Sequence, residues 1–138
     1  MVFGLPSVVI GMLIREACYR QMGRLFTFQI AIRPNHKIID TGPYGIVRHP
    51  GYTGSIFHII GGVFIAIGPQ AYLKACGLMS SSTTLKVLAW VWTVYSSYIL
   101  YSLLRRGPVE DRGLHDHFGK EWENYARRVP YMYIPGVI

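Results

Sequence analysis

The stretch HPGYTGSIFHIIGGVFIAIGPQAYL, residues 49–73, runs for 25 residues without an Asp, Glu, Lys or Arg. At 1.5 Å of rise per residue, about 20 such residues cross the hydrocarbon core of a bilayer. A second charge-free run of 18 residues, 87–104, lies downstream. Residues 1–14 are uncharged as well, until Arg15 and Glu16 interrupt them. No basic residue precedes that first run and no small-residue cleavage site stands out, so it does not read as a signal peptide. Composition agrees: the 138-residue chain is 51% hydrophobic and 15% charged, where soluble proteins carry roughly 25% charged residues. Such values exclude a disordered tail and point to an all-α integral membrane protein with one domain, residues 1–138. Cys18 and Cys76 supply neither a disulfide framework nor a metal-ligand spacing. In so apolar a chain the net charge of +7 marks loops facing cytosol and anionic lipid rather than nucleic acid.

Working outward, the chain divides into four sections. An N-terminal helix is expected over residues 7–32, stopped by Pro34. A polar loop, 33–54, is dense in Gly and Pro. A helical hairpin, 55–104, follows, with helices over about 55–72 and 85–104 and a Ser/Thr-rich turn between them. The C-terminal segment, 107–138, is charged at first and ends in an aromatic tail. Gly107-Pro108 predicts a helix break, with Pro108 in the first turn of a new helix. Arg15, Arg20, Arg24, Arg33, Lys37 and Arg48 precede the hairpin; Arg105, Arg106, Arg112, Lys120, Arg127 and Arg128 follow it; its connection holds only Lys74 and Lys86. The positive-inside rule puts both polar sections in the cytosol, where the C-terminal helix closes over the loop.

Two constellations have chemical content. The loop carries Tyr44, Arg48, His49 and Tyr52 between the turn dipeptides Gly42-Pro43 and Pro50-Gly51. At the mouth of a membrane helix this set suits a polar ligand; on spacing alone it is equally a capped helix start with interfacial tyrosines. The second is Arg105-Arg106-Gly107-Pro108-Val109-Glu110-Asp111. Its plain reading is an interfacial arginine pair followed by acids at a helix N-terminus, where the dipole favours them. Leu114, Phe118, Trp122 and Tyr125 recur at three- and four-residue spacing, an amphipathic stripe. His115 and His117 are two apart, so on a helix they diverge, and with no third ligand in sight no metal is expected. His58 reads as packed against protein within the first hairpin helix.

Taken in order, the pieces Gly42-x-Tyr44-x-x-x-Arg48-His49-Pro50-x-Tyr52-x-Gly54, Arg106-x-x-x-Glu110-Asp111-x-x-Leu114 and Phe118-Gly119-x-x-Trp122-x-x-Tyr125-x-x-Arg128-Val129-Pro130 resemble the isoprenylcysteine carboxyl methyltransferases. The stretch from Ile14-Arg15 to Gly23-Arg24-x-Phe26-Thr27 is similar too, and Ile134-Pro135-Gly136 makes the combination more specific. The resemblance implies a multi-pass enzyme of the endoplasmic reticulum membrane with its site facing the cytosol. It implies methyl transfer from S-adenosylmethionine to the C-terminal carboxylate of S-prenylated cysteine in prenylated proteins. By position, cofactor contacts fall to Gln29, His36, Lys37, Ile38, Ile39, Tyr44, His49, Pro50, Gly51, Tyr52 and Glu110. Arg106 meets the substrate, so Arg106 and Glu110 are the catalytic pair. Membrane lipid is the other partner; neither metal nor nucleic acid is implied. The chain departs from eukaryotic members, which have further N-terminal membrane helices, in having room for about three, as expected of a truncated product or an incomplete gene model, and it departs in Gly107-Pro108 after the arginine.

The chemistry fits these residue types. A carboxylate with a pKa near 3.5 is ionised at pH 7, so its methylation needs a dry, oriented approach rather than a general base. An arginine fork holds both carboxylate oxygens. Competing readings are a phospholipid N-methyltransferase, for whose amine nucleophile Arg106 has no purpose; a sterol-type reductase, which lacks an evident basic pair for a 2′-phosphate; and a truncated, inactive family member.

Overall fold

A computed structural model describes residues 3–23, 38–68 and 71–137. Among these, every regular element is a helix. Helix α1 spans Gly4–Met22 and stops at Gly23, whose φ of 50° suits a residue without a Cβ. It begins three residues earlier than the sequence predicts, while its expected continuation to residue 32 lies outside the described residues. A 3-10 turn, Gly42–Gly45, follows. Helix α2 covers Pro50–Ile67 with Pro50 in its first turn. It starts ahead of the expected position because a proline there gives up an amide that the helix start leaves unbonded in any case. Two single-turn helices, α3 (Tyr72–Ala75) and α4 (Leu78–Ser81), form the connection. Helix α5 then runs over Thr83–Phe118, capped by the Ser82 side chain accepting from the Leu85 amide. Helix α6 is Lys120–Arg128.

The closest packing joins α1 and α2, and glycines make it possible. Gly4 and Gly11 lie seven apart on α1, Gly54 and Gly61 seven apart on α2, and the helices run antiparallel. A Cβ on Gly11 would come within 2.5 Å of the Gly54 carbonyl, and one on Gly61 within 2.7 Å of the Gly4 carbonyl. Backbone therefore meets backbone, as it does where membrane helices pack through small residues. The Ser7 hydroxyl adds a bond to the Phe57 carbonyl at 2.7 Å, and Arg15 reaches Ser55 and Tyr19.

Both α2 and α5 are long and apolar enough to cross a bilayer. α5 presents its apolar side chains outward: Trp90 is 73% and Tyr98 67% exposed. In water so much apolar surface would be costly; hydrocarbon solvates it. At 36 residues α5 is about 54 Å long, well beyond a core of about 30 Å. Its apolar part ends at Leu104, and the remainder carries Arg105 to Phe118 out towards the polar end of α2.

Two expectations about this second half need correction. Gly107-Pro108 does not break the chain into two helices; α5 continues through Pro108. Proline removes the amide that would bond the carbonyl four residues back, that of Leu104. Here the Tyr133 hydroxyl donates to the Leu104 carbonyl instead, at 3.0 Å. The amphipathic stripe, in turn, is not on one helix. Gly119, with φ of 54°, ends α5 after Phe118 and starts α6.

Candidate functional site

The site forms where the loop before α2, the outer part of α5, and the tail after α6 meet. The tail docks through backbone bonds: the Arg48 amide donates to the Tyr131 carbonyl and the His49 amide to the Met132 carbonyl, both at 2.9 Å. The Thr53 hydroxyl donates to the Tyr133 carbonyl at 2.6 Å. Residues 131–133 thus strap the first turn of α2. From below, the Tyr125 hydroxyl donates to the Tyr44 carbonyl at 2.9 Å and fixes the 3-10 turn to α6. Burial pushes the Tyr125 phenol up to about 12 and lifts Tyr44 further above the ordinary tyrosine range, Cys18 adding to the effect. Both remain neutral donors at any physiological pH.

Glu110 and Asp111 are adjacent in sequence and about 100° apart around α5. Asp111 points inward, with its side chain 9% exposed. One oxygen accepts from Arg48 Nε at 3.0 Å and the other lies 2.9 Å from His49 Nε2. Arg48 also donates to the carbonyls of Val129 and Pro130 at 3.1 and 2.7 Å. Its guanidinium stands 6.0 Å from the Trp122 ring. A fixed cation, a carboxylate and two carbonyls therefore join loop, α5 and tail in one buried knot.

Glu110 faces the other way. The Tyr52 hydroxyl donates to its Oε1 at 2.5 Å and Arg106 Nε donates to the same oxygen at 2.8 Å. His49 Nδ1 is 3.5 Å from its Oε2. Its side chain is 19% exposed and that of Arg106 40%, so this pair, unlike Asp111, is accessible to an incoming ligand. The His49 and Tyr52 rings stack with centroids 5.5 Å apart and form an aromatic wall beside the carboxylate. A Cβ at Gly51 would meet no described atom within 4 Å outside its own helix.

The arrangement brings together Tyr44, His49, Pro50, Gly51, Tyr52, Arg106 and Glu110 from the residues singled out in the sequence. Ile38 and Ile39 precede the 3-10 turn and are partly exposed; Gln29, His36 and Lys37 lie outside the described residues. Sequence reasoning missed Asp111, taken for a helix-start acid, as well as Thr53, Tyr125 and Tyr133. Among the described residues, no three His, Cys, Asp or Glu side chains are grouped as metal ligands. His115 pairs with Glu123 at 3.3 Å and His117 packs edge-on against Phe118.

A family model for the isoprenylcysteine carboxyl methyltransferase family matches residues 2–88, which include α1, the loop and all of α2. The chain belongs to that family. Relatives extend the likeness across the outer part of α5. A probable protein-S-isoprenylcysteine O-methyltransferase of Oryza sativa is 35% identical over 128 residues, covering 91% of this chain and 56% of the relative. Protein-S-isoprenylcysteine O-methyltransferase B of Arabidopsis thaliana is 32% identical over 130 residues, covering 93% and 56%. This methyltransferase-family chain therefore spans a little over half the length of those relatives. A probable 7-dehydrocholesterol reductase of Acanthamoeba polyphaga mimivirus is 31% identical over 113 residues, covering 80% of this chain but 21% of the relative. No solved structure matches the chain.

Proposed function

We propose that this chain methylates the C-terminal carboxylate of S-prenylated cysteine in prenylated proteins, using S-adenosylmethionine at the Glu110 cluster. The observation that carries the reading is the accessible Arg106–Glu110 pair held against the His49–Tyr52 wall in a chain of this family. The residues present fit the cofactor. Glu110 offers a carboxylate for its amino group, the stacked His49 and Tyr52 rings offer an aromatic wall beside it, and Tyr44, Ile38 and Ile39 would supply further aromatic and apolar surface. When bound, S-adenosylmethionine supplies a methyl group activated by its positively charged sulfur.

The protein's own task is positional. Arg106 is charged at every working pH, and its planar fork suits the two oxygens of the prenylcysteine carboxylate. In the present arrangement that fork is engaged by Glu110. A ligand ammonium taking over Glu110 releases the bond from Arg106 Nε, which couples cofactor and substrate binding. Tyr52 keeps Glu110 in place during that exchange through its hydroxyl. Apolar walls exclude water and leave the ionised oxygen unsolvated for attack. With α2 and α5 crossing the bilayer, the prenyl chain arrives laterally from lipid, and the basic residues flanking the hairpin support a cytosolic side for the site. An endoplasmic reticulum membrane, where prenylated proteins are processed in the family, is the location this reading implies.

The test is label transfer from methyl-labelled S-adenosylmethionine to N-acetyl-S-farnesylcysteine in membranes expressing only this chain. Base-labile methyl ester above the vector control is the expected result; none, with protein present in the membrane, rejects the activity. The likeness to sterol reductases supports a second reading, a nicotinamide-dependent reductase. Binding of NADPH in preference to S-adenosylmethionine by the detergent-purified chain would favour it.

A further inference from the structure

Three features converge on the single turn of α5 that carries Arg106 and Glu110. Pro108 removes one helix amide and with it the partner of the Leu104 carbonyl. Gly107 has no side chain, and a Cβ there would overlap the Tyr133 hydroxyl. Tyr133, only 3% exposed, places that hydroxyl 3.0 Å from the Leu104 carbonyl and 3.4 Å from that of Leu103. Burial raises its phenol above the ordinary range, so the group stays a donor. At its other end the Tyr133 carbonyl accepts from Thr53 on α2. Its ring lies 6.0 Å from His49 and 6.4 Å from Tyr52.

We propose that Tyr133 is a positioning residue for the methyl-transfer site: its hydroxyl replaces the helix hydrogen bond that Pro108 deletes and so sets the Arg106–Glu110 turn against His49 and Tyr52. Gly107 is the opening through which the phenol reaches the helix backbone. An uncorrected proline would leave the Leu104 carbonyl without its helix donor and let the turn tilt, carrying Glu110 away from Tyr52. Because the same residue holds the first turn of α2 through Thr53, it ties together the two walls of the site.

This inference rests on the proposed activity for its ligand, but the latch itself can be read without one. Tyr133→Phe removes the donor and keeps the ring. Pro108→Ala restores the amide to Leu104, so the hydroxyl is no longer needed. The four-member cycle of wild type, both single variants and the double variant is purified in detergent. Hydrogen–deuterium exchange of peptides spanning residues 103–112 is measured on each, with equilibrium binding of labelled S-adenosylmethionine. Tyr133→Phe is expected to speed exchange in that segment and weaken the cofactor about five- to tenfold, the loss of one hydrogen bond's worth of order. Adding Pro108→Ala should return both to within about twofold of wild type. A merely structural role would lower folded yield without rescue by a substitution at residue 108. Unchanged exchange in Tyr133→Phe, or additive effects in the double variant, overturns the latch. Coupled exchange with unchanged cofactor affinity overturns its positioning role. Coupled exchange in a protein that binds no S-adenosylmethionine even as wild type supports the latch and overturns the methyltransferase reading.

Discussion

The α1–α2 contact and the polar knot at the end of α2 hold the same helix by opposite means. Along α2 inside the apolar region, Gly54 and Gly61 work by having no side chain, so that the backbone of α1 comes within van der Waals reach. At the head of the same helix, Arg48, His49 and Asp111 hold loop, α5 and tail by charge and hydrogen bonding. Within the polar end the contrast recurs between two neighbours. Asp111 is buried on fixed partners, whereas Glu110 is accessible and shares its oxygens with groups that a ligand can displace. Rigid packing below and a buried ion pair beside it leave Glu110 as the adjustable member.

The sharpest way to break this contrast is at the glycines. Gly11→Leu or Gly54→Leu drives a side chain into a backbone carbonyl that cannot move aside, so the helices must separate. We expect about 3 kcal/mol of destabilisation or more and near-complete loss of monodisperse protein on size-exclusion chromatography in detergent. Near-normal recovery would mean that α1 and α2 are not in backbone contact.

Asp111→Ala comes next. It strands the Arg48 guanidinium in a site where its side chain is 13% exposed. Because two carbonyls still accept from Arg48, the cost falls near the lower end of that for a broken buried pair, about 3 kcal/mol. A thermal-shift assay should show a clear fall in melting temperature. An equal fall in Glu110→Gln would erase the distinction between the two acids.

Gly51→Leu has the smallest expected effect on the fold and the most selective effect on function. A Cβ built there meets no described atom within 4 Å, and melting temperature should hold. Cofactor affinity should fall about tenfold, since the added group fills space assigned to the ligand. Loss of stability with unchanged affinity would place the ligand elsewhere.

What the sequence disclosed, and what it did not, follows the reach of the interactions involved. The charge-free run of residues 49–73 and the turn dipeptides around Tyr44 and Pro50 are local signals, and they anticipated α2 and the loop before it. Arg106 and Glu110 were singled out through the family resemblance alone; their pairing at i and i+4 was hidden by the helix break expected between them. Gly107-Pro108 misled because its correction comes from Tyr133, 29 residues from Leu104. Asp111 looked like an acid at a helix start because Arg48, its partner, is 63 positions away. The seven-residue spacing of glycines is visible on each helix separately, but only the antiparallel register shows which backbones meet. The split of the aromatic stripe at Gly119 was the one local signal overlooked, a glycine of positive φ inside a helical pattern.

The central claim is that Glu110 is the cofactor's partner while Arg106 serves the substrate, although the two are paired with each other. Equilibrium binding of labelled S-adenosylmethionine to detergent-purified Glu110→Gln and Arg106→Ala, with methyl-transfer rates on the same samples, tests it most directly. Glu110→Gln should lose about ten- to a hundredfold in cofactor affinity, the cost of a charge-assisted bond. Arg106→Ala should keep or improve that affinity, its competing guanidinium gone, and yet lose methyl transfer, with Arg106→Lys failing to restore it fully. Cofactor binding abolished by Arg106→Ala and untouched by Glu110→Gln would contradict the account.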